Sequence, residues 1–388
     1  MIILKKPWFN NRGGALLVTL VLMSMIALIG VMAVTNSTTD MDLSYNNLHN
    51  DEAFYVAEAG GHRAVSQLIE DKTWRDGYSD ISFGNGVYSV VVADSTTDST
   101  LADTVVVTST GIVEGAMTNL QFEVAPKIYN PFKYAMFGDE LVDIRNSMHI
   151  DSYNSDSGTY WSTRLDADGD VGSNVDVVVA NGGFVGGDVQ SATLGGIDIH
   201  PGATVTGDTS DTAEEQELPP IPQAAFDSAL ANMNLDSISG SFTYDSVTHD
   251  FSSEGTVTLG SGVYYFSTIT LFNSANLVLS PGAEVTVYVT GDIEMKNSAT
   301  VNDGGDPGDL IFYSQGDFVL KNSGDIRAVF YSPDGSADLR NSGEFYGSIV
   351  ANDIVNHNSA NFHYDRTLAD INIGGIGDYE VVAFIELL

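Results

Sequence analysis

The sequence predicts a membrane-anchored protein with an α+β region near its N-terminus and a right-handed parallel β-helix as its largest part. Three observations lead to this prediction. An apolar stretch near the N-terminus is long enough for a membrane-spanning helix. Short β-rich runs bounded by turn residues follow it. A phrase beginning with Asn-Ser then recurs at residues 146, 273, 297, 322, 341 and 358, and the last five copies have the spacing of solenoid coils.

The composition excludes several classes of function. Among 388 residues, 52 Asp and Glu outnumber 15 Lys and Arg, which gives a net charge of −37. Because such a surface repels phosphate backbones, we expect no nucleic-acid partner. The chain has no cysteine, so it has neither disulfides nor a Cys nucleophile. It also lacks a P-loop, a helical zinc pair and a G-x-S-x-G elbow, and we therefore predict a non-enzymatic protein without cofactors.

The membrane anchor is predicted first along the chain. Lys5, Lys6 and Arg12 precede an uncharged run whose apolar core covers residues 15–34, about the 20 residues that a spanning helix needs. The positive flank stays in the cytoplasm, so everything after Asp40 is expected outside. A cleaved secretory signal is the alternative, but its apolar core is usually only about 7–15 residues long.

The helix is expected to continue beyond the membrane. Phe54, Ala57, Gly61, Ala64 and Leu68 recur at three- and four-residue steps, which is typical of an amphipathic helix. We therefore predict a cytoplasmic leader over residues 1–13 and one transmembrane and amphipathic helix over residues 14–72.

Two segments carry a resemblance to a known family. Residues 12–18 (Arg-Gly-Gly-Ala-Leu-Leu-Val) and residues 53–60 (Ala-Phe-Tyr-Val-Ala-Glu-Ala-Gly) resemble the N-terminal region of PilX-type type IV pilus assembly proteins. The resemblance implies a pilin-like helix that crosses the inner membrane once, with the body in the periplasm or on the cell surface or pilus. It also implies pilin-like subunits or the pilus assembly machinery as partners.

The same resemblance implies a processing site. By analogy with prepilins, a leader peptidase would cut between Gly13 and Gly14. Major pilins usually have Phe as the new first residue and Glu four residues later, whereas this chain has Gly14 and Val18. Whether the leader is cleaved, and whether the chain enters the filament, is therefore left open. Glu58 is predicted to be a solvated or capping carboxylate on the amphipathic helix.

A small antiparallel β head is predicted over residues 73–128. Asn85 and Gly86 form a tight-turn dipeptide before a valine-rich run. Leu120, Phe122 and Val124 alternate with polar residues, which indicates a strand with one buried face. A helix followed by such a sheet is the arrangement of pilin-like heads.

The remainder is divided by its Gly-rich and acidic segments. We predict first β-helix coils over residues 129–210, an acidic Pro-containing linker with a short helix over residues 211–255, and the main β-helix over residues 256–369. Residues 370–388 form an apolar C-terminal strand or cap, and capping of the last coil is favoured over pairing with the antiparallel sheet. Four segments, at residues 262–266, 279–283, 303–307 and 362–365, resemble the β-helical domain at the C-terminus of many PilX-type envelope proteins. The resemblance runs from about residue 255 to residue 368 and implies architecture only.

The repeated phrase predicts a structural ladder of asparagines. The residue two positions before each Asn is usually apolar, so strand alternation is expected to turn the Asn inwards as well. Neighbouring coils lie about 4.8 Å apart, which lets successive amides hydrogen-bond along the axis. The predicted ladder comprises Asn146, Asn273, Asn297, Asn322, Asn341 and Asn358.

The residue immediately before each Asn is expected to point outwards. In four copies it is basic, and we call Arg145, Lys296, Lys321 and Arg340 the cationic stripe. An anionic polysaccharide or a partner protein is one predicted ligand of this stripe. The alternative is local charge balance, with Lys321 beside Asp325 and Arg340 beside Glu344, since surface pairs contribute only about 0–1 kcal/mol.

Two acidic groups suggest other chemistry. Asp166, Asp168 and Asp170 alternate like the opening of a calcium loop, but the Gly and the terminal Glu of an EF-hand are missing. A weak Ca²⁺ site therefore competes with an ordinary acidic turn. A polysaccharide-degrading site would need a carboxylate pair, or a metal-bound carboxylate cluster with a basic residue, on one exposed face. The candidates are Asp325, Arg327, Asp338 and Glu344.

The function predicted from the sequence is that of a non-catalytic type IV pilus-associated envelope protein. It would be a minor pilin-like or pilus assembly subunit that presents a β-helix for surface attachment, cell adhesion or assembly. The alternative is a membrane-tethered β-helix protein that binds or degrades polysaccharide.

Overall fold

The chain forms two compact units. The computed structural model describes residues 12–96, 104–127, 129–340, 342–371 and 379–387, except for the side chains of residues 12, 13 and 322. One unit comprises Met1–Pro126 with Asp378–Leu388, and the other comprises Lys127–Gly377. Most of the predicted leader lies outside the described residues.

The first unit begins with one long helix, α1 (Arg12–Glu70), of 59 residues. Its residues 14–34 are uncharged, mostly apolar and exposed on every side, so this part is long and apolar enough to cross a membrane. Farther along, Ala57, Gly61, Ala64 and Leu68 are buried as predicted, and Phe54 is half-buried. The first part of α1 is therefore apolar all round, and its second part is amphipathic, without a break in the helix.

A five-stranded antiparallel sheet packs against the second half of α1. In spatial order its strands are β1 (Tyr78–Phe83), β2 (Gly86–Ala93), β3 (Val105–Val113), β4 (Ala116–Pro126) and β29 (Tyr379–Leu387). The alternation predicted for residues 120–124 is present, since Leu120, Phe122 and Val124 are buried. The prediction that the C-terminal segment caps a coil is wrong, because β29 pairs antiparallel with β4 and covers its edge.

Small residues allow the helix to approach the sheet closely. A Cβ atom on Gly61 would lie 1.9 Å from the Phe122 ring, and one on Gly60 would lie 2.6 Å from the Tyr88 ring. A Cβ atom on Gly111 would lie 2.2 Å from the carbonyl oxygen of Ala53. These contacts leave no room for a methyl group on either side of the interface.

The second unit is rich in sheet, and its 24 strands form one hydrogen-bonded network among the described residues. The strands before residue 211 are β5 (Met136–Ile144), β6 (His149–Tyr153), β7 (Val171–Ser173), β8 (Asp176–Val179), β9 (Phe184–Val185), β10 (Val189–Ser191), β11 (Ile197–Ile199), β12 (Thr204–Val205) and β13 (Thr209–Ser210). The later strands are β14 (Ile238–Gly240), β15 (Thr243–Tyr244), β16 (Asp250–Ser253), β17 (Thr256–Leu259), β18 (Gly262–Phe266), β19 (Thr268–Leu271), β20 (Asn276–Leu279), β21 (Val285–Val289), β22 (Ile293–Asn297), β23 (Thr300–Val301), β24 (Leu310–Ser314), β25 (Phe318–Asn322), β26 (Ile326–Leu339), β27 (Phe345–Asn356) and β28 (Asn361–Asp365). Two short helices, α2 (Tyr160–Thr163) and α3 (Gln223–Asn232), interrupt them.

Most of these strands pair in parallel, and identical positions of the repeat face each other. Met295 lies opposite Leu271 on one side and Leu320 on the other, and Leu320 lies opposite Leu339. All four side chains are buried. Aromatic rings also stack between neighbouring strands, with Phe345 and Phe362 at 4.5 Å between ring centroids. The observed architecture is a long helix with a sheet-rich body, and the parallel β-helix stays a prediction.

The spatial order of the strands differs from their order in the chain. Strand β27 pairs with β5, and β28 pairs with β6, so residues 136–210 continue the stack where residues 345–365 end. The segment 211–237 lies on the outside of the strands. The Tyr331 hydroxyl donates to the Pro219 carbonyl at 2.7 Å, and the buried Phe226 of α3 packs on Tyr288. Strands resume at Ile238, earlier than the predicted residue 256, with antiparallel pairs that protect this end of the stack.

Candidate functional site

The recurring Asn-Ser phrase forms turns at the surface. The backbone φ angles of Asn146, Asn273 and Asn297 are 58°, 61° and 62°, which places them in the left-handed region. Asn tolerates this conformation better than most residues. One left-handed residue ends the strand alternation, so the three side chains are exposed. The predicted inward orientation is therefore wrong for these three residues.

The stacking of this phrase involves backbone and serine atoms as well as amides. Asn297 Nδ2 donates to Asn273 Oδ1 at 3.3 Å, which is one contact of the predicted kind. The Ser298 amide donates to the Asn273 carbonyl at 2.9 Å. Asn146 and Asn358 instead donate their amides to main-chain carbonyls.

The rest of the predicted ladder is only partly visible. Asn341 and the side chain of Asn322 lie outside the described residues, although the backbones of Asn297 and Asn322 are paired in register. Asn356, which is not part of the predicted ladder, is buried: it is 1% exposed and donates to the carbonyls of Arg145 and Asn358. A continuous amide ladder stays a prediction.

The cationic stripe is paired with acidic side chains on the same face. The ion pairs are Arg145–Asp143, Lys296–Glu294, Lys321–Glu294 and Arg340–Asp338. The predicted partners Asp325 and Glu344 lie instead in a cleft that is described below. Because each of the four cations is paired with an acidic side chain, and Lys296 and Lys321 share Glu294, the stripe is a poorer site for an anionic ligand than the sequence suggests.

The three aspartates of the predicted calcium turn have three different partners. Asp166 Oδ1 lies 3.4 Å from His149 Nε2, and Asp168 accepts a hydrogen bond from Arg366 at 3.1 Å. Asp170 Oδ1 accepts from a backbone amide at 2.8 Å, and burial raises its pKa. Among the described residues the three aspartates do not form one cluster of potential metal ligands, and the weak Ca²⁺ site stays a prediction.

A polar cleft of about 700 Å³ lies where residues 345–365 meet residues 136–153. Strands β6 and β28 supply its floor, and α2 supplies part of its wall. Its lining side chains are His149, Asp151, Tyr160, Trp161, Arg164, Asp166, Asp325, Glu344, Tyr346, Asn361 and His363. The cleft combines carboxylates, imidazoles and aromatic rings, and it is the candidate site.

A buried histidine links two carboxylates at the floor of the cleft. His363 is 3% exposed, and its Nδ1 and Nε2 atoms lie 2.6 Å from Asp151 and 2.7 Å from Glu344. Burial lowers the His363 pKa, but the hydrogen bonds to both carboxylates outweigh it and raise the pKa overall. The hydrogen bond from His363 also lowers the pKa of Glu344. The arrangement favours an imidazolium that donates from both ring nitrogens.

Aromatic side chains form the outer wall. Tyr160 donates its hydroxyl proton to Asp151 Oδ2 at 2.7 Å, and the neighbouring Trp161 is 74% exposed. The Arg327 guanidinium lies 3.7 Å from the centre of the Tyr346 ring. A second hollow, an adjoining cavity of about 420 Å³, is lined in part by Tyr160, Trp161 and Tyr346, which also line the cleft. An exposed indole beside hydrogen-bonding groups suits a ligand with both apolar and hydroxyl surfaces.

Sequence reasoning found only part of this site. Of the residues proposed for polysaccharide degradation, Asp325 and Glu344 line the cleft, and Arg327 lines the adjoining hollow. Asp338 lies elsewhere, in an ion pair with Arg340. Asp151 and His363 were not predicted, because they are far apart in the sequence and the pairing of β28 with β6 brings them together.

Two family models match separate parts of the chain. Residues 12–60 match the family model described as PilX N-terminal. The resemblance to PilX-type pilus proteins is confirmed. The PilX-matched segment ends at Gly60, where the helix packs against Tyr88. Residues 204–371 match a domain of unknown function (DUF7305), which defines no activity.

Comparisons with individual proteins establish no further relationship. No curated protein sequence matches this chain significantly. Among solved structures, the competence-associated pilin ComZ from Thermus thermophilus is similar at 12% identity, over 87% of this chain and 97% of that chain. Its TM-score of 0.23 does not establish a shared fold. The PilX-type helix thus carries the association with type IV pili and suggests anchoring in a membrane with the body outside.

Proposed function

We propose that this chain is a non-catalytic, pilin-like subunit of a type IV pilus or of its assembly machinery, which presents a parallel β-helix for surface attachment. The PilX N-terminal match to residues 12–60 carries the proposal. Residues 14–34 of the same helix expose apolar side chains on every side, so they need lipid or neighbouring apolar helices as surroundings. We propose the inner membrane as that location and pilin-like subunits as partners.

The pairing of strands supports a β-helical body. Parallel partners lie in register at intervals of roughly one solenoid coil, as between β22, β25 and β26. The buried faces form columns of aliphatic and aromatic side chains along the stack. A body of this kind is rigid and presents a long lateral surface, which suits attachment.

Fractionation tests the proposal. We expect the full-length protein to sediment with membranes and to accompany filaments that are sheared from cells. A matched control replaces residues 1–40 with a cleavable secretion signal and should yield a soluble body. Recovery of the unmodified protein in the soluble fraction alone would contradict the anchor. Absence from filaments, together with retention in the membrane, would assign it to the assembly machinery.

Mass spectrometry of the mature N-terminus resolves the processing step. We propose cleavage between Gly13 and Gly14, as the analogy with prepilins implies. A chain that begins at Gly14 supports this step, and a chain that retains Lys5 and Lys6 excludes it. The Val18 side chain gives the cleaved terminus no carboxylate partner, so we expect a minor rather than a major subunit.

The cleft favours a second candidate function, the binding or degradation of a polysaccharide. Its specific support is the exposed Trp161 beside Asp325, Glu344 and Asn361. Binding to a glycan array should fall in a Trp161→Ala variant and persist in a Leu194→Ala variant, which removes a similarly exposed side chain elsewhere. Release of reducing ends would indicate degradation, and equal binding by both variants would remove this candidate.

The cationic stripe is tested separately. A triple Lys296→Gln, Lys321→Gln, Arg340→Gln variant should fold, because each cation is at the surface. Since each of these cations is already paired with Glu294 or Asp338, we expect little loss of attachment. A large loss would show that the stripe is a ligand site after all.

A further inference from the structure

We propose that His149, Asp151 and Asp166 bind a divalent transition-metal ion of the Zn²⁺ class at the edge of the cleft. One donor atom from each residue lies within 4.8 Å of the other two. The group combines an imidazole with a buried carboxylate and an exposed carboxylate. This inference is independent of the pilus assignment and goes beyond attachment.

The spacing between His149 and Asp166 fits two ligands of one ion better than a direct hydrogen bond. His149 Nε2 and Asp166 Oδ1 are 3.4 Å apart, which is longer than a good N–H···O hydrogen bond of about 2.7–3.2 Å. Zinc bonds nitrogen and carboxylate oxygen at about 2.0–2.2 Å, so tetrahedral ligands lie about 3.3–3.6 Å from each other. An ion can therefore bind between these two atoms without a large movement of either side chain.

Packing against Phe184 orients the His149 imidazole before any ion binds. The His149 ring stacks on Phe184 with 4.2 Å between ring centroids and 1° between ring planes. The two residues face each other in paired strands, β6 and β9. Because this stacking holds the plane of the imidazole, little conformational freedom is lost when an ion binds.

The buried carboxylate is supported by a second layer of hydrogen bonds. Asp151 is 2% exposed and accepts one hydrogen bond from His363 and one from Tyr160, on different oxygens. Each carboxylate oxygen can accept a further interaction, so both contacts are compatible with metal coordination. Glu344 in turn holds His363. Hydrogen-bonded ligands of this kind are typical of protein metal sites.

The ligand types select the class of ion. Calcium and magnesium take oxygen ligands almost exclusively, whereas imidazole suits zinc and neighbouring transition metals. Three protein ligands leave at least one position for water or substrate, as in open zinc sites. The cleft of about 700 Å³ supplies that space and an entry path. The two aspartates also balance the charge of a divalent ion.

Metal binding by the full-length protein in detergent tests the site. After treatment with a chelator, the protein is titrated with Zn²⁺ by calorimetry and with Co²⁺ by visible absorption. We expect one site per chain, and about tenfold or greater weakening in His149→Gln and in Asp166→Asn. Circular dichroism checks that both variants fold, which is expected because neither side chain is buried.

A second His–Asp pair in the same unit provides the matched control. His200 Nε2 lies 3.0 Å from Asp198 Oδ2, both side chains are exposed, and the described residues supply no third ligand there. His200→Gln should bind Zn²⁺ as the unmodified protein does. Equal affinity in His149→Gln and in the unmodified protein would overturn the proposal. Loss of binding in His200→Gln alone, or stoichiometric Ca²⁺ binding that survives His149→Gln, would also overturn it.

Discussion

The Nδ1 atom of His363 lies 2.6 Å from Oδ1 of Asp151, although 212 residues separate them in the chain. The two residues face each other in register in the parallel pair β28–β6. This pair joins the end of the later strands to the start of the earlier ones. The candidate site therefore exists only because the strands stack out of chain order.

Loss of the buried histidine should destabilise the second unit. His363→Gln leaves the buried Asp151 without its cationic partner, and removing one partner of a buried pair typically costs about 3–5 kcal/mol. Denaturant unfolding followed by circular dichroism measures this change. His357→Gln is the control, because that histidine is exposed. Equal midpoints for the two variants would show that the network contributes nothing to stability.

A methyl group between helix and sheet should destabilise the first unit. A Cβ atom on Gly61 would lie 1.9 Å from the buried Phe122 ring, so Gly61→Ala should cost about 1–3 kcal/mol by overpacking. Gly30→Ala lies in the same helix with nothing within 4 Å and should cost nothing. Thermal melting in detergent compares the two variants, and a Gly61→Ala variant as stable as the parent would contradict close packing here.

The left-handed turn at Asn297 predicts a particular order of substitutions. Its φ angle is 62°, where an Ala residue is strained by about 1–2 kcal/mol and Gly is not. Asn297→Ala should therefore be the less stable variant, with Asn297→Gly close to the parent. Both variants lose the side-chain bond to Asn273, so that bond does not contribute to the difference between them. The opposite order in denaturant midpoints would argue against this turn.

An acid-sensitive contact is predicted in the first unit. Hydrogen bonds from the Thr96 hydroxyl and then from Arg75 lower the pKa of Asp94 to about 2. The unfolded chain protonates this carboxylate near pH 3.9, so its stabilising effect is present above that pH and is lost as the pH falls towards 2. Asp94→Asn should flatten the loss of stability between pH 4 and 2, as followed by melting temperature.

The control for this prediction is Asp51→Asn, which alters an exposed carboxylate on α1. That variant should keep the acid dependence of the parent. If the two variants behave alike over the same pH range, the contact between Asp94 and Arg75 has no part in the acid response.

Local patterns predicted the features that depend on local geometry. The three- and four-residue steps of Ala57, Gly61 and Ala64 follow from the turn of a helix, and their burial is observed. The two-residue alternation of Leu120 and Phe122 follows from the pleat of a strand. The PilX resemblance of residues 12–60 depends on a contiguous segment, and it is confirmed.

The two-residue alternation of a strand gave a wrong prediction at Asn297, where the strand ends. Counting by two from Met295 places Asn297 inside, but this holds only while every residue has extended backbone angles. A left-handed residue turns the chain, and the Asn297 side chain is exposed. Periodicity alone does not show where a strand ends, and the Asn-Ser dipeptide was a turn signal as much as a strand position.

By itself, the sequence determined the anchor helix, the strand-rich body and the pilus resemblance, because each is encoded in neighbouring residues. Only the tertiary structure decided that β28 meets β6 and that β29 meets β4. Any parallel strand with an apolar inner face is an acceptable partner for another, so the residues of one strand do not specify its neighbour. The cleft with Asp151, Glu344 and His363 depends on which strands pair, and the sequence alone therefore did not predict it.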